Sequence, residues 1–152
     1  PLYAFDKFPW RVEKAREMGA QVWNVDDVDV VAALQQATHG RGADVVFEAA
    51  WADHSIQMAV EMTRIGGRLV LVGIPGDDQL HMRHGMARRK GLTIMMARRM
   101  KHTYPRAIPL VTSGALALDD LISHHVPLEE TPQAFDINAH YRDNVLKMIV
   151  DI

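Results

Sequence analysis

The chain has 152 residues, 48% of them hydrophobic and 24% charged, with a formal net charge of −2 at pH 7. That length holds one ordinary domain, and the interspersed, nearly balanced charge argues against nucleic acid or an anionic membrane as a partner. The absence of cysteine removes disulfides, thiolate zinc sites and a cysteine nucleophile together, which is compatible with the cytoplasm.

Residues 2–5 (LYAF) read as a short strand that stops on an acid, Asp6, with a basic residue, Arg11, five positions later. "WRVEKAREMGA" reads as a helix: Val12, Ala15 and Met18 share a face, and Gly19 suits the position just past its end. "QVWNV" is a second short strand. Asp26 and Asp27 offer caps for a helix over "VDVVAALQQATHG", stopped by Gly40 and Gly42.

"ADVVFEAA" is a buried strand, apolar except for its acids, with Glu48 near its end. Asp53 or Ser55 caps the next helix, "SIQMAVEMTRIGG", and "GRLVLVGIPG" is another near-continuous apolar strand. Apolar runs without alternation suit a parallel sheet covered on both faces. Short turns with helices between the strands suit right-handed crossovers. The first half is therefore expected to be a doubly wound α/β sheet, with none of the runs long enough to span a bilayer and no signal-peptide pattern.

The second half is less regular. "DDQLHMRHGMARRKG" is basic and helix-like, "LTIMMARRM" reads as a strand, and "YPRAIPLVTSG" as a helix that Pro109 should weaken. "HHVPLEETPQAFDI" is an extended piece followed by a helix capped by Thr131, with Pro132 at its first position. "NVLKMIV" closes the chain as a strand. Of eight histidines, His81 and His84 could share a helix face, while His124 and His125 should diverge on a strand. Neither pair has a convincing third ligand, and no Ser-His-Asp set or P-loop is visible.

The phrases "MKHTYPRAIPLVTSG" and "LISHHVPLEETPQAFD" carry a pattern. With "AFDKFPWRVEKAREMGA", "GADVVFEAA" and "IGGRLVLVGIP" upstream in order, the chain resembles the C-terminal part of zinc-dependent medium-chain alcohol and polyol dehydrogenases. The sorbitol, xylitol and threonine dehydrogenase branch is the nearest match in pattern. The resemblance implies an incomplete doubly wound, Rossmann-like parallel sheet that begins at its second strand. The first strand, the glycine-rich loop, the zinc ligands and the proton relay would lie upstream of Pro1. Residues 1–111 would be a partial dinucleotide-binding domain, and residues 112–152 a segment that in the family packs on the catalytic domain.

The same resemblance implies NAD as coenzyme, weakly held or not held by this chain, and zinc only in the missing catalytic domain. The complete enzyme would transfer hydride from a secondary alcohol to NAD, and this chain alone would be inactive. The alternative is a non-catalytic oligomerising or nucleotide-binding module. Asp6 would take the ribose hydroxyls and repel a 2′-phosphate; otherwise it is a surface turn acid. Arg11 matches a basic position near that ribose, and is equally readable as an exposed helix charge. Ala49 and Ala50, then Val72, Gly73 and Ile74 with Pro75, end two strands where the nicotinamide half would lie. Trp51 stands where the family has glycine. Arg99 corresponds to an arginine reaching cofactor or substrate, and Lys147 to a basic position near the pyrophosphate. In the strand order 3-2-1-4-5-6 the missing strand would run between "LYAF" and "DVVFEA". Its absence should be met by closing the gap within one chain or by a homodimer. The dimer is favoured, because Phe135, Leu146, Met148 and Val150 have also lost their cover.

Overall fold

The computed structural model describes all residues except Trp51, Asp53, Pro75, Asp77, Asp78 and Lys101. The readings placed on Trp51 and Pro75, and on Asp53 as a cap, therefore lie outside the described residues. The elements are β1 (Tyr3–Asp6), α1 (Pro9–Glu17), β2 (Gln21–Asn24), α2 (Val30–Ala37), β3 (Ala43–Glu48), α3 (Ser55–Met62) and β4 (Thr63–Leu71). They continue as α4 (His84–Lys90), β5 (Thr93–Met96), α5 (Tyr104–Thr112), β6 (His124–Pro127), α6 (Thr131–Ala139) and β7 (Met148–Asp151). Every ladder is parallel: β1 with β2, β4 between β3 and β5, and β6 with β7. This is the expected α/β class, with the helices crossing over between parallel strands. No helix among the described residues is long and apolar enough to cross a membrane.

Local chemistry sets the element ends. Gly19 sits at φ +88, a conformation that costs glycine little, and its amide closes α1 on Arg16. α2 starts later than the sequence suggests, because Asp29 is its cap, accepting from the Ala32 amide at 3.0 Å. Asp26 and Asp27 are instead held in a turn organised by Asn24, whose side chain accepts from the Asp26 amide at 2.9 Å.

The third helix is shorter than expected. It ends at Met62, and β4 begins at once with Thr63, whose hydroxyl donates to the Ala59 carbonyl at 2.6 Å. Gly66 and Gly67 do not stop a helix; they lie in β4, where the register against β3 shifts between Ala43 and Val45. α4 covers only the end of the basic run, so His81 lies outside the helix and shares no helix face with His84. α5 passes through Pro109 and buries none of its residues. Thr131 is the first residue of α6 rather than its cap. Its hydroxyl is turned back, donating to the Leu128 carbonyl at 2.6 Å.

Two apolar clusters form the core. Ile56, Ala59, Val60, Leu69, Leu71 and Ala87 join α3, β4 and α4; Val30, Leu34 and Met62 join α2 to α3. Between β1 and β3 lies a cleft of about 710 Å³, with Leu34, Val46, Met58 and Met62 in its wall. β1 and β3 belong to different sheets. The gap expected at this place is thus open in the structure, and residues 2–5 have not moved beside residues 44–48.

Candidate functional site

Asp6 is the last residue of β1 and lines the cleft. Its Oδ1 accepts from the Phe8 amide at 2.9 Å, a turn that delivers the chain into α1 with Pro9 at the first helical position. Its Oδ2 lies 3.9 Å from Nη1 of Arg11. The pair read from the sequence is therefore brought together, as an ion pair rather than a hydrogen bond.

An aromatic cluster lies against one side of Arg11. The guanidinium carbon lies 5.0 Å from the Phe8 ring centre and 5.2 Å from that of Tyr141, which comes from the turn after α6. The Phe8 ring is 4.8 Å from Tyr141 and 4.7 Å from Trp10, and Lys7 Nζ is 4.9 Å from the Phe8 ring centre. Trp10 Nε1 donates to the carbonyl of the fully buried Val145 at 3.2 Å. Sequence reasoning missed Phe8 and Tyr141. Phe8 sits two residues after the strand-ending acid, but nothing local points to Tyr141.

On the far side of the cleft lies the carboxyl end of β3, which meets that of β4 behind it. Glu48 is 5% exposed, and its side chain accepts from the Ser55 hydroxyl at 2.7 Å. Its carbonyl accepts from the amides of Val72 and Gly73 at 2.7 and 2.9 Å. A Cβ on Gly73 would press on the Ala50 carbonyl and stand 2.6 Å from Glu48 Oε2. Ala49, Ala50, Val72 and Gly73 are thus gathered, and the close approach that Gly73 permits here is to β3. Ile74 follows, 61% exposed. The sequence offered Glu48 only as the polar end of a strand and Ser55 as a cap, a role Ser55 does not take: it is the first residue of α3, after His54, and its hydroxyl turns back to Glu48 and the Ala52 carbonyl. Arg99 is exposed between β5 and α5, and Lys147 precedes β7; neither lines the cleft, and nor do Arg11, Val72, Gly73 and Ile74, so of the residues read from the sequence it is Asp6, Ala49 and Ala50 that do.

At the other end of the cleft, Asp44 takes both Arg41 nitrogens at 2.9 and 2.6 Å and Arg64 Nε at 2.6 Å. Hydrogen bonds from Arg41 and then Arg64 hold its carboxyl far below the usual carboxylate range. Among the described residues no three His, Cys, Asp or Glu converge as metal ligands. His124 and His125 diverge as expected, to Asp143 at 3.0 Å and Asp151 at 3.2 Å. Ser123 Oγ is 2.8 Å from His124 Nδ1, so a Ser-His-Asp series that the sequence reading missed does exist. Its oxygen is tied to β7: it accepts from the Leu146 amide at 2.9 Å and donates to the Lys147 carbonyl at 3.0 Å. That arrangement pins β6 to the start of β7 rather than freeing a nucleophile.

The sequence profile of the family described as "Zinc-binding dehydrogenase" matches residues 2–113. Sorbitol dehydrogenase of Bacillus subtilis (strain 168) is 29% identical over 146 residues, 95% of this chain and 41% of that protein. A putative D-xylulose reductase of Rhizobium meliloti (strain 1021) is 37% identical over 134 residues, 88% of this chain and 38% of that protein. Among solved structures, alcohol dehydrogenase TADH from Thermus sp. ATN1 superposes with a TM-score of 0.90 at 29% identity, covering 99% of this chain and 43% of that one. The 2R,3R-butanediol dehydrogenase from Bacillus subtilis gives 0.86 at 25% identity, covering 99% and 43%. The chain therefore spans about two fifths of the length of these relatives.

Proposed function

Because the chain belongs to the zinc-binding dehydrogenase family, we propose that it carries the coenzyme part of an NAD-dependent alcohol or polyol dehydrogenase. In this reading residues 1–111 are a partial dinucleotide-binding domain, and residues 112–152 are a segment that meets a catalytic domain. Relatives named sorbitol dehydrogenase and putative D-xylulose reductase support the polyol side.

One observation carries the proposal. Asp6 ends β1 beside the cleft with one carboxylate oxygen held by the Phe8 amide and the other facing Arg11. That donor and acceptor set fits the adenosine end of NAD: the carboxylate accepts from the ribose diol and repels a 2′-phosphate. Ala49, Ala50, Val72, Gly73 and Ile74 sit at strand carboxyl ends, where such folds receive the nicotinamide half. Arg99 and Lys147 are assigned to the substrate side and the pyrophosphate of the complete enzyme. When bound, NAD supplies the hydride-accepting ring. The residues of this chain do not fit a zinc site, since none of the 152 is cysteine and no ligand trio converges among those described. Zinc and the proton relay are assigned to a catalytic domain outside these residues.

The test is direct. The purified chain with NAD, zinc and a panel of alcohols and polyols should give no NADH absorbance above a blank. Turnover that follows the protein through a sizing column would overturn that expectation. Calorimetric titration should give NAD a dissociation constant no tighter than high micromolar, on the order of 6 kcal/mol or less. The 152 residues contain no G-x-G-x-x-G turn to set the pyrophosphate on a helix N-terminus. NADP should bind more weakly still. A sub-micromolar value would mean another element replaces that turn.

A second reading, a non-catalytic oligomerising module, is favoured by one observation. Phe47 is 68% and Phe135 70% exposed, and α5 buries nothing. A chain that self-associates and ignores NAD would establish it.

A further inference from the structure

Resting on the coenzyme reading above, we propose that Tyr141 is the positioning residue for Arg11. Its ring, with that of Phe8, fixes the guanidinium beside Asp6 so that the N–H donors serve an adenine nucleotide.

A guanidinium is planar, permanently charged and weakly hydrated, so aromatic faces hold it well. Here two rings lie within the range for that attraction, at 5.0 and 5.2 Å, and a carboxylate oxygen lies at 3.9 Å. None of these contacts uses an N–H in a hydrogen bond. Among the described residues Arg11 donates none from its side chain, so its five N–H groups remain available to a ligand. An arginine engaged by faces and by charge, with its donors unspent, is arranged for an incoming acceptor.

Tyr141 is itself held firmly. It sits at φ +50, unusual for a residue with a side chain, and its amide donates to the Asn138 carbonyl at 3.3 Å. Four residues on, the buried Val145 receives Trp10 Nε1. Docking of the C-terminal segment is thus secured by Trp10 and Val145, which leaves the Tyr141 ring for Arg11. Phe8 completes the arrangement beside Tyr141: its amide orients Asp6 while its ring faces Arg11. The residue that recognises the ribose and the residue beside it are therefore set by one aromatic pair, one member of which comes from the far end of the chain.

The experiment compares wild type, Tyr141→Phe and Tyr141→Leu, with folding checked by circular dichroism and thermal melting. Without ligand, the Arg11 Nε–Hε resonance should show a ring-current shift in wild type and Tyr141→Phe. In Tyr141→Leu, which keeps apolar bulk but no ring, that shift should shrink. Titration with 5′-AMP should then weaken about two- to five-fold in Tyr141→Leu, the worth of an exposed cation–π contact, and recover in Tyr141→Phe. Phe8→Leu should reproduce the Tyr141→Leu result. An Arg11 resonance unmoved in folded Tyr141→Leu overturns the proposal, as does equal 5′-AMP affinity in all three proteins. If 5′-AMP perturbs nothing in wild type while the Arg11 resonance still follows the ring, the coenzyme reading fails and the positioning contact stands.

Discussion

The ammonium of Lys90 donates to the carbonyl of Thr63 at 2.7 Å, and also to those of Glu61 at 2.7 Å and Val60 at 2.9 Å. The carbonyls of Val60 and Glu61 are in the last turn of α3, where a helix end leaves them without partners, and that of Thr63 opens β4. α3 can therefore pass directly into β4 without a capping turn, because a side chain from α4 supplies the donors. A hydrogen bond to a charged group contributes roughly 1.5–3 kcal/mol. Lys90→Met keeps the stem and removes the donors, so it should lower unfolding free energy by about that amount in a urea titration, with the slope unchanged. A loss below about 0.5 kcal/mol, within the spread of ordinary surface changes, would show that water caps the helix equally well.

The Asp44 carboxylate joins Arg41 and Arg64, and so ties the start of β3 to the start of β4. Its folded pKa lies below its unfolded value. The stabilisation is therefore complete above the ordinary aspartate pKa, near pH 4, and is lost as pH falls through the acid range. Wild type should lose stability below about pH 4 more steeply than Asp44→Asn. The difference should shrink in 1 M salt, because the group is exposed and screened. Parallel acid limbs for the two proteins would mean the three charges interact equally in the unfolded chain.

Gly73 lets the end of β4 close on the end of β3. An added methyl would meet the Ala50 carbonyl and stand 2.6 Å from Glu48 Oε2, and backbone cannot give way as a flexible side chain can. Gly73→Ala should cost roughly 1–3 kcal/mol, the usual range for overpacking. It should also move the amide resonances of Ala50, Val72 and Gly73's neighbours while leaving β1 and β2 untouched. A neutral effect on melting would place the need for glycine elsewhere than in this contact.

The parts of this architecture that the sequence revealed are those decided locally. Residues 43–48 and 68–71 are strand-forming runs, and they became β3 and the last four residues of β4. β3 is not the buried strand expected: Val45 is 41% and Phe47 68% exposed, because among the described residues no strand lies on its cleft side. Asp6 and Arg11 are five residues apart across a strand-to-helix turn, so the spacing alone nearly fixes their approach. What stayed hidden depends on distant residues. Gly66 and Gly67 resemble a helix stop, yet α3 ends earlier, where Lys90 reaches its last carbonyls from 29 and 30 positions away. Thr131 looks like a cap until its hydroxyl finds Leu128 behind it. Tyr141 meets Arg11 across 130 positions, a contact set by docking of the last segment and carried by no motif.

The open cleft leads to the last expectation, a homodimer. β1 and β3 each present an edge to a slot of about 710 Å³ with an apolar wall. Buried without partners, backbone amides and carbonyls on such edges cost ~1–3 kcal/mol each. Leu146, Met148 and Val150 are partly covered once β6 and β7 pair, a better outcome for the tail than the sequence suggested. Phe135 remains 70% exposed and Phe47, on the β3 edge, 68%. A second copy that pairs at this edge would satisfy the backbone and cover Phe47 at once. Light scattering at low micromolar concentration should then report twice the 17.1 kDa chain mass. Phe47→Lys, a charge on the pairing edge, should shift the protein toward monomer. A wild-type monomer of 17.1 kDa that melts in one cooperative step would show that the cleft is stable when filled by water alone, and the dimer would be discarded.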